Sequence, residues 1–177
     1  MEDERLTVIT EIVRRCAERQ YNLGKIQLQK MVYFFQEKGK DLGYTYVIFH
    51  YGPFSFELAE DIERLKTLRV LNIEPDDAGY GYHITPGVHS NVFTTNDSVI
   101  NANTHALDTI IDTLGMMTAS EIELVATIHY VFSVLRETNQ GDIREDVIRS
   151  VAELKPQFNS EQIAHALANM PAAFMPS

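Results

Sequence analysis

Residues 26–36 read Ile-Gln-Leu-Gln-Lys-Met-Val-Tyr-Phe-Phe-Gln and carry the strongest structural signal in the chain. Four apolar side chains repeat at the i, i+3, i+4, i+7 spacing of one helix face, namely Leu28, Met31, Val32 and Phe35. Tyr33 and Phe34 widen this apolar arc, so neighbouring elements must cover the helix on more than one side. The pattern predicts the central helix of the fold, ending near Gly39.

The stretch after this helix predicts a strand and then a third helix. Residues 44–50 are rich in aromatic and β-branched side chains, which suit a pleated sheet, and Tyr51-Gly52-Pro53 is expected to end the strand. Ser55 is the expected N-cap of the helix. The first turns of this helix are acidic and its end is basic, which is the order that the helix dipole favours.

The rest of the chain predicts a hairpin and further helices. Two short strands, near residues 69–74 and 80–85, flank a turn-rich Glu-Pro-Asp-Asp-Ala-Gly loop. Amphipathic spacing predicts a helix over residues 4–19, before the central one. Apolar spacing predicts a helix over residues 97–114, and start signals that include a capping box at Thr118–Glu121 predict helices beginning near residues 118, 142 and 159.

These elements define the expected fold class and domain organisation. We predict a mainly α-helical α+β fold with six to seven helices, one small three-stranded antiparallel sheet that includes a winged-helix-like hairpin, and a helical C-terminal half. Residues 86–96 are the expected seam. An α/β core over residues 1–87 and a helical extension over residues 88–177 are expected to pack as one compact domain.

Composition favours a cytoplasmic protein. No apolar run approaches the ~18 residues that span a bilayer, so we expect no membrane partner. The start, MEDERLTVIT, is acidic where a signal peptide would be basic. Cys16 is the only cysteine, which excludes an intrachain disulfide. Because Cys16 falls on the apolar stripe of the first helix, it is expected to be a core residue rather than a nucleophile.

The sequence shows no pattern that indicates catalysis or a cofactor. It contains no Gly-rich phosphate loop, no H-E-x-x-H, no G-x-S-x-G and no paired-cysteine zinc spacing. His83 and His89 are close enough to share a metal, but no further donor at a recognisable spacing accompanies them. His129 lies in an apolar helix and is expected to be a hydrogen-bonded core histidine. We therefore assign no catalytic, cofactor-binding or metal-binding residue.

The charge distribution bears on nucleic acid as a partner. The net charge of −10 argues against a protein that coats nucleic acid. Residues 14–40 are locally rich in Lys and Arg, which indicates either solvated helix faces or a basic patch for an acidic partner. The order helix, helix, strand, helix, hairpin is similar to that of a winged helix. The helix before the hairpin is acidic, however, so the candidates for DNA contact are Lys25, Gln27, Gln29 and Lys30.

Several segments resemble the SocA-like antitoxin domain, also called Panacea, in its YwgA-like variant. The resemblance is carried by the stretch starting at Ile26, by Tyr51-Gly-Pro-Phe-Ser-Phe-Glu-Leu, by Asp61-Ile-Glu-Arg-Leu and by Gly81-Tyr82 before Ile84-Thr85-Pro-Gly87. Its specific part covers residues 24–87. The helical segments that start at Glu123 and Glu153 also resemble the C-terminal part of that group.

The resemblance implies an interaction module rather than an enzyme. Antitoxin members of this family bind a partner protein and neutralise it, so the expected function is that of an antitoxin or adaptor with a cognate protein partner such as a toxin; a homo-oligomer is compatible with this. The alternative is a winged-helix-related transcriptional regulator that binds DNA, and an enzyme ranks third. We expect the partner surface to consist of the motif residues that the fold needs least: Gln27, Lys30, Gln36, Tyr51 and Glu57.

Overall fold

The computed structural model describes residues 2–76, 81–93, 98–138 and 141–175. Over these ranges the chain is α+β and mostly helical, with seven α-helices and two antiparallel sheets of two strands each. The helices are α1 Glu2–Glu18, α2 Lys25–Lys38, α3 Phe56–Thr67, α4 Ser98–Gly115, α5 Ala119–Thr138, α6 Arg144–Leu154 and α7 Ser160–Ala168. The strands are β1 Val47–Phe49, β2 Gly52–Phe54, β3 Leu71–Pro75 and β4 Tyr82–Pro86, and short 3-10 turns lie at Ser90–Val92 and Ala172–Phe174.

The prediction of one three-stranded sheet is wrong. β1 pairs only with β2, and β3 pairs separately with β4, so the described strands form two hairpins rather than one sheet. The strand expected over residues 44–50 is shorter than predicted and is limited to β1. The β3–β4 hairpin was predicted close to its observed position, although Tyr80 of the expected strand lies outside the described residues.

The first hairpin arises from the Gly-Pro pair that was expected only to end a strand. His50 and Tyr51 form its two-residue turn, and Gly52 follows with φ of +86°, a conformation that glycine adopts without strain. Pro53 has no backbone N–H to donate, which a strand at a sheet edge tolerates. The chain therefore reverses at His50-Tyr51, and Gly52-Pro53 starts β2 instead of leaving the sheet.

The predicted central helix is confirmed as α2. All residues from Leu28 to Phe35 are buried, because α1, α4, α5 and β2 pack around this helix. Neighbouring elements thus cover the wide apolar arc of α2 on more than one side, as expected. Ser55 is confirmed as the N-cap of α3, where its hydroxyl oxygen accepts from the backbone N–H of Leu58 at 3.2 Å.

The start signals of α5 and α7 are also confirmed, whereas α6 begins at Arg144 with Ile143, and not Asp142, as its N-cap. Thr118 and Glu121 form a capping box at the start of α5, and Asn159 and Gln162 form another at the start of α7. At the start of α6 the Asp142 carboxylate accepts from the backbone N–H of Arg144 at 3.1 Å. Among the described residues no strand interrupts 118–170, as predicted.

Buried side chains from both halves of the chain form one continuous core. Cys16 lies in it, and burial raises the pKa of its thiol to about 12, which confirms a core residue. His129 is buried and hydrogen-bonded through Nδ1 to the Tyr33 hydroxyl at 2.7 Å. Burial, followed by the Lys38 charge, lowers the His129 pKa to about 4, so the imidazole is neutral at pH 7.

In the part of the chain that the structure describes, we find no helix that combines the length and the apolar character needed to cross a membrane.

Candidate functional site

The β1–β2 hairpin carries an exposed cluster of apolar side chains. Phe54 packs edge-on against Phe56 at 5.1 Å between ring centroids, and Phe49 lies 5.5 Å from Phe54 and 5.7 Å from Phe56. Tyr51, at the turn, is 56% exposed. We call these side chains the aromatic surface, with the following members: Val47, Phe49, Tyr51, Phe54 and Phe56. Clustered exposed apolar side chains of this kind indicate an interaction site.

A pocket of about 330 Å³ opens beside the aromatic surface, between α2, α3 and the hairpin. We call it the hairpin pocket. Its walls are mostly apolar. Two of its charged side chains, Lys25 and Glu63, form an ion pair of 2.7 Å with each other. Its lining residues are Lys25, Ile26, Gln29, Lys30, Phe49, His50, Tyr51, Phe54, Ala59, Ile62 and Glu63.

Gln29 joins α2 to the start of α3. Its Nε2 donates to the carbonyl of Ser55 at 2.9 Å, and its Oε1 accepts from the backbone N–H of Ser55 at 3.1 Å. Both ends of the amide are therefore satisfied, and Ser55 is fully buried. This contact places the first turn of α3 against α2 and so shapes one side of the hairpin pocket.

Two buried lysines hold the hairpin from below. The Lys30 ammonium donates to the carbonyl of Pro53 at 2.6 Å. The Lys155 ammonium donates to the carbonyl of Phe49 at 3.1 Å and to that of His50. Because charged donors make strong hydrogen bonds in a buried setting, these contacts fix the backbone that presents the aromatic surface.

Glu123 supplies the negative charge in this buried group. Its Oε1 lies 2.8 Å from Lys155 Nζ and accepts from Gln157 Nε2 at 3.0 Å. Lys155 is 3% exposed and Glu123 is 7% exposed. We call Lys30, Glu123 and Lys155 the buried charge cluster. Two of its three members come from the helical second half, so that half determines how the hairpin is held.

Thr127 and Gly52 explain how closely the hairpin approaches α5. A Cβ atom added to Gly52 would lie 2.7 Å from Thr127 Oγ1 and 3.6 Å from Lys30 Cε. Both the positive φ and this space require glycine. The Thr127 hydroxyl donates to the Glu123 carbonyl at 2.7 Å, so it is fixed in place.

Burial lowers the pKa of Lys30 from 10.5 to about 7; the Glu123 carboxylate opposes this change and the Lys155 charge adds to it. From pH 7 to 10.5 the unfolded chain therefore holds a proton that the folded chain has lost. Lys30 therefore contributes a rise in the free energy of unfolding with pH across this window. Below pH 7 both states carry the proton, so Lys30 adds no pH dependence there.

The Lys30→Met variant is expected to lose this pH dependence. Between pH 7 and 10 its unfolding free energy should rise by roughly 2–4 kcal/mol less than that of the wild type. Urea denaturation at several pH values measures the difference. Lys66→Met, which removes an exposed lysine, is the control and should follow the wild type. Parallel pH profiles for the wild type and Lys30→Met would show that Lys30 keeps its proton when folded.

The five residues expected at a partner surface occupy different environments. Tyr51 and Glu57 are exposed, and Glu57 accepts a hydrogen bond from the Ser55 hydroxyl at 2.9 Å. Gln27 and Gln36 are half-buried and hydrogen-bond to backbone, Gln27 at Gly24 and Gln36 at Tyr44.

Lys30, the fifth of these residues, is 1% exposed, so the expectation that the fold needs it least is wrong. The helix around it is covered on all sides, which leaves its ammonium under the hairpin rather than in water.

The basic residues of 14–40 are occupied within the fold. Arg15 and Arg19 form ion pairs with Asp108 at 2.9 and 2.7 Å, and Arg19 also pairs with Asp112. The remaining four exposed or half-buried bases bond to an acid or a carbonyl: Arg14 to Glu11 and Glu18, Lys25 to Glu63, Lys38 to the Met175 carbonyl, and Lys40 to Glu4. The local excess of positive charge therefore serves packing between helices.

Sequence reasoning missed Glu123 and Lys155 as site residues. Glu123 lies among apolar residues of α5, and a carboxylate on a buried stretch signals a partner that is also buried.

His83 bonds to Asn22 through Nδ1 at 2.6 Å. Within the described ranges no group of three or more His, Cys, Asp or Glu side chains is arranged to hold a metal ion.

No protein-family model matches this chain, and no curated protein matches it significantly. The resemblance to the SocA-like domain rests on the quoted residues and stays a prediction.

Proposed function

We propose that this protein is a non-enzymatic interaction module that binds a partner protein through the aromatic surface and the hairpin pocket. The observation that carries the proposal is the exposure of several aromatic side chains on a hairpin whose backbone is held by buried lysines. Aromatic residues beside a concave apolar pocket are the usual carriers of binding energy at protein interfaces. A fixed backbone reduces the entropy that is lost on binding.

The residues behind the SocA-like resemblance support the same proposal. Gln29 and Lys30 of the first segment bond to Ser55 and Pro53 of the second segment, so both motifs belong to one site. We propose that the protein acts in the cytoplasm as an antitoxin or adaptor, neutralising a cognate protein such as a toxin by direct contact. The helical second half takes part through Glu123 and Lys155.

The alternative is a winged-helix-related regulator that binds DNA. The order of α3 followed by the β3–β4 hairpin favours it. The charges oppose it, because the first two turns of α3 are acidic and the bases of residues 14–40 are paired or buried. Fluorescence anisotropy with duplex DNA at about 150 mM salt distinguishes the two, since sub-micromolar binding that weakens steeply with added salt would favour the regulator.

Co-purification from the native host tests the interaction proposal. A protein that co-purifies with the tagged wild type should be lost from the Phe49→Ser/Phe56→Ser double variant. Both positions are about half exposed, so circular dichroism and the melting temperature should change little.

The matched control for co-purification is Val88→Ser/Val92→Ser, which removes exposed apolar side chains elsewhere. Retention of the partner by the Phe49→Ser/Phe56→Ser variant would contradict the proposal, whether or not the control retains it. So would the absence of any protein that co-purifies with the wild type.

A further inference from the structure

The α3 side of the hairpin pocket is rich in acidic residues. The first two turns of α3 carry four acidic residues and no basic one: Glu57, Glu60, Asp61 and Glu63. Glu60 is exposed and stands one helical turn after Phe56 of the aromatic surface. Glu63 lines the pocket.

Few positive charges offset these acids at the pocket. Lys25 is a half-buried cation that lines it, and its ammonium is already paired with Glu63. Lys30 is buried below the hairpin and bonds to Pro53, so its charge does not reach the surface. The rim of the pocket beside α3 is therefore acidic.

We infer that the aromatic surface and the hairpin pocket recognise a basic polypeptide segment that inserts a bulky apolar side chain into the pocket and places Lys or Arg against Glu60. This inference rests on the proposed function and specifies its partner. A pocket of about 330 Å³ with apolar walls accepts an aromatic or large aliphatic anchor. Opposite charges around such an anchor steer the encounter and fix its orientation.

The same charges argue against a second copy of this chain as the occupant. A symmetric dimer whose two-fold axis passes through this surface, near Glu60, would bring the acids at the start of one α3 against those of the other, and like charges across an interface are unfavourable. The net charge of −10 adds to this repulsion.

A random peptide library displayed on phage and selected on the full chain tests the inference. Enriched peptides should combine a Trp, Phe or Leu with nearby Lys or Arg. Synthetic versions of these peptides are then titrated by fluorescence polarisation against the wild type and three variants.

Ala59→Leu, which fills the pocket wall, should weaken peptide binding at least ten-fold. Glu60→Lys should weaken it about five- to ten-fold and flatten its salt dependence. Glu153→Lys, a charge reversal at an exposed position of α6, is the control and should leave binding unchanged.

Each contrary result would overturn a different part of the inference. Enrichment of acidic or uncharged peptides, or binding that Glu60→Lys leaves unchanged, would overturn the inferred partner charge while pocket binding and the proposed function stand. Failure to enrich any peptide would overturn recognition of a linear segment, whereas co-purification of a folded partner could still succeed. A dimer of the wild type that Ala59→Leu dissociates in sedimentation experiments would show that the occupant is a second copy.

Discussion

Replacing Glu123 by glutamine is expected to lower the free energy of unfolding by about 3–5 kcal/mol, because it leaves the buried Lys155 ammonium without the carboxylate that neutralises it. The substitution keeps the shape of the side chain, so the loss reports charge rather than packing. Lys30 lies in the same cluster and adds a second positive charge below its lowered pKa of about 7. Urea denaturation with wild type and variant measures the change.

Two further variants make the Glu123 prediction specific. Glu153→Gln, at an exposed position, should change stability by less than about 0.5 kcal/mol. The Glu123→Leu/Lys155→Met double variant should recover much of the stability, since replacing a buried ion pair by apolar side chains is often neutral or favourable. A loss below about 1 kcal/mol in Glu123→Gln would show that the ion pair does not stabilise the fold.

The double variant also separates stability from function. It removes the donor that Lys155 supplies to the carbonyls of Phe49 and His50. The hairpin should then be held less firmly even where the protein is stable. We expect weaker partner binding from this variant at nearly unchanged melting temperature.

Truncating Tyr51 to alanine is expected to weaken partner binding by about 2–4 kcal/mol, or roughly 30- to 1,000-fold, with little effect on stability. Tyr51 projects from the turn beside the hairpin pocket and is exposed in the free protein. A large aromatic side chain at that position is available to be buried on binding. Isothermal titration calorimetry with the co-purified partner gives the affinity.

Leu68→Ala is the matched control for Tyr51→Ala. Leu68 is similarly exposed but lies just beyond the far end of α3, away from the hairpin. Its truncation should leave affinity unchanged. Equal affinities for the wild type and Tyr51→Ala would place the contact outside the turn.

Much of the fold could be predicted because its signals are local. The spacing of Leu28, Met31 and Phe35 gives α2, and the caps at Ser55 and Thr118 give the starts of α3 and α5. Each of these signals lies within a few residues of the element it defines. Tertiary packing did not need to be known.

The β1–β2 hairpin could not be predicted with the same rules. A Gly-Pro pair commonly ends a strand, and only the positive φ of Gly52 together with the space beside Thr127 shows that the chain turns back here. The sequence does not show the backbone angle of Gly52, and Thr127 is distant from it in sequence. The sequence therefore predicts three strands in one sheet, whereas the structure has four strands in two separate hairpins.

The buried charge cluster depends on contacts between distant residues. Lys155 reaches carbonyls of Phe49 and His50, which precede it by more than a hundred positions. The wide apolar arc of α2 did contain a signal for Lys30, since a helix covered on all sides leaves little solvent for a lysine. Tyr51 lies in the turn of the β1–β2 hairpin, and Glu57 lies in the first turn of α3. Both are exposed, as expected from the sequence.

Site-specific photo-crosslinking tests most directly whether the aromatic surface binds a partner protein. A benzophenone amino acid replaces Tyr51 in one version of the chain and Val88 in another. Val88 is 79% exposed and lies near Arg69, beyond the far end of α3, a helix about 18 Å long. After irradiation in the native host, crosslinked products are identified by mass spectrometry.

We expect one protein to be crosslinked through position 51 and not through position 88, and we expect the Phe49→Ser/Phe56→Ser substitutions to abolish the product. Crosslinking of that protein through position 88 alone, or of no protein through position 51, would contradict this expectation.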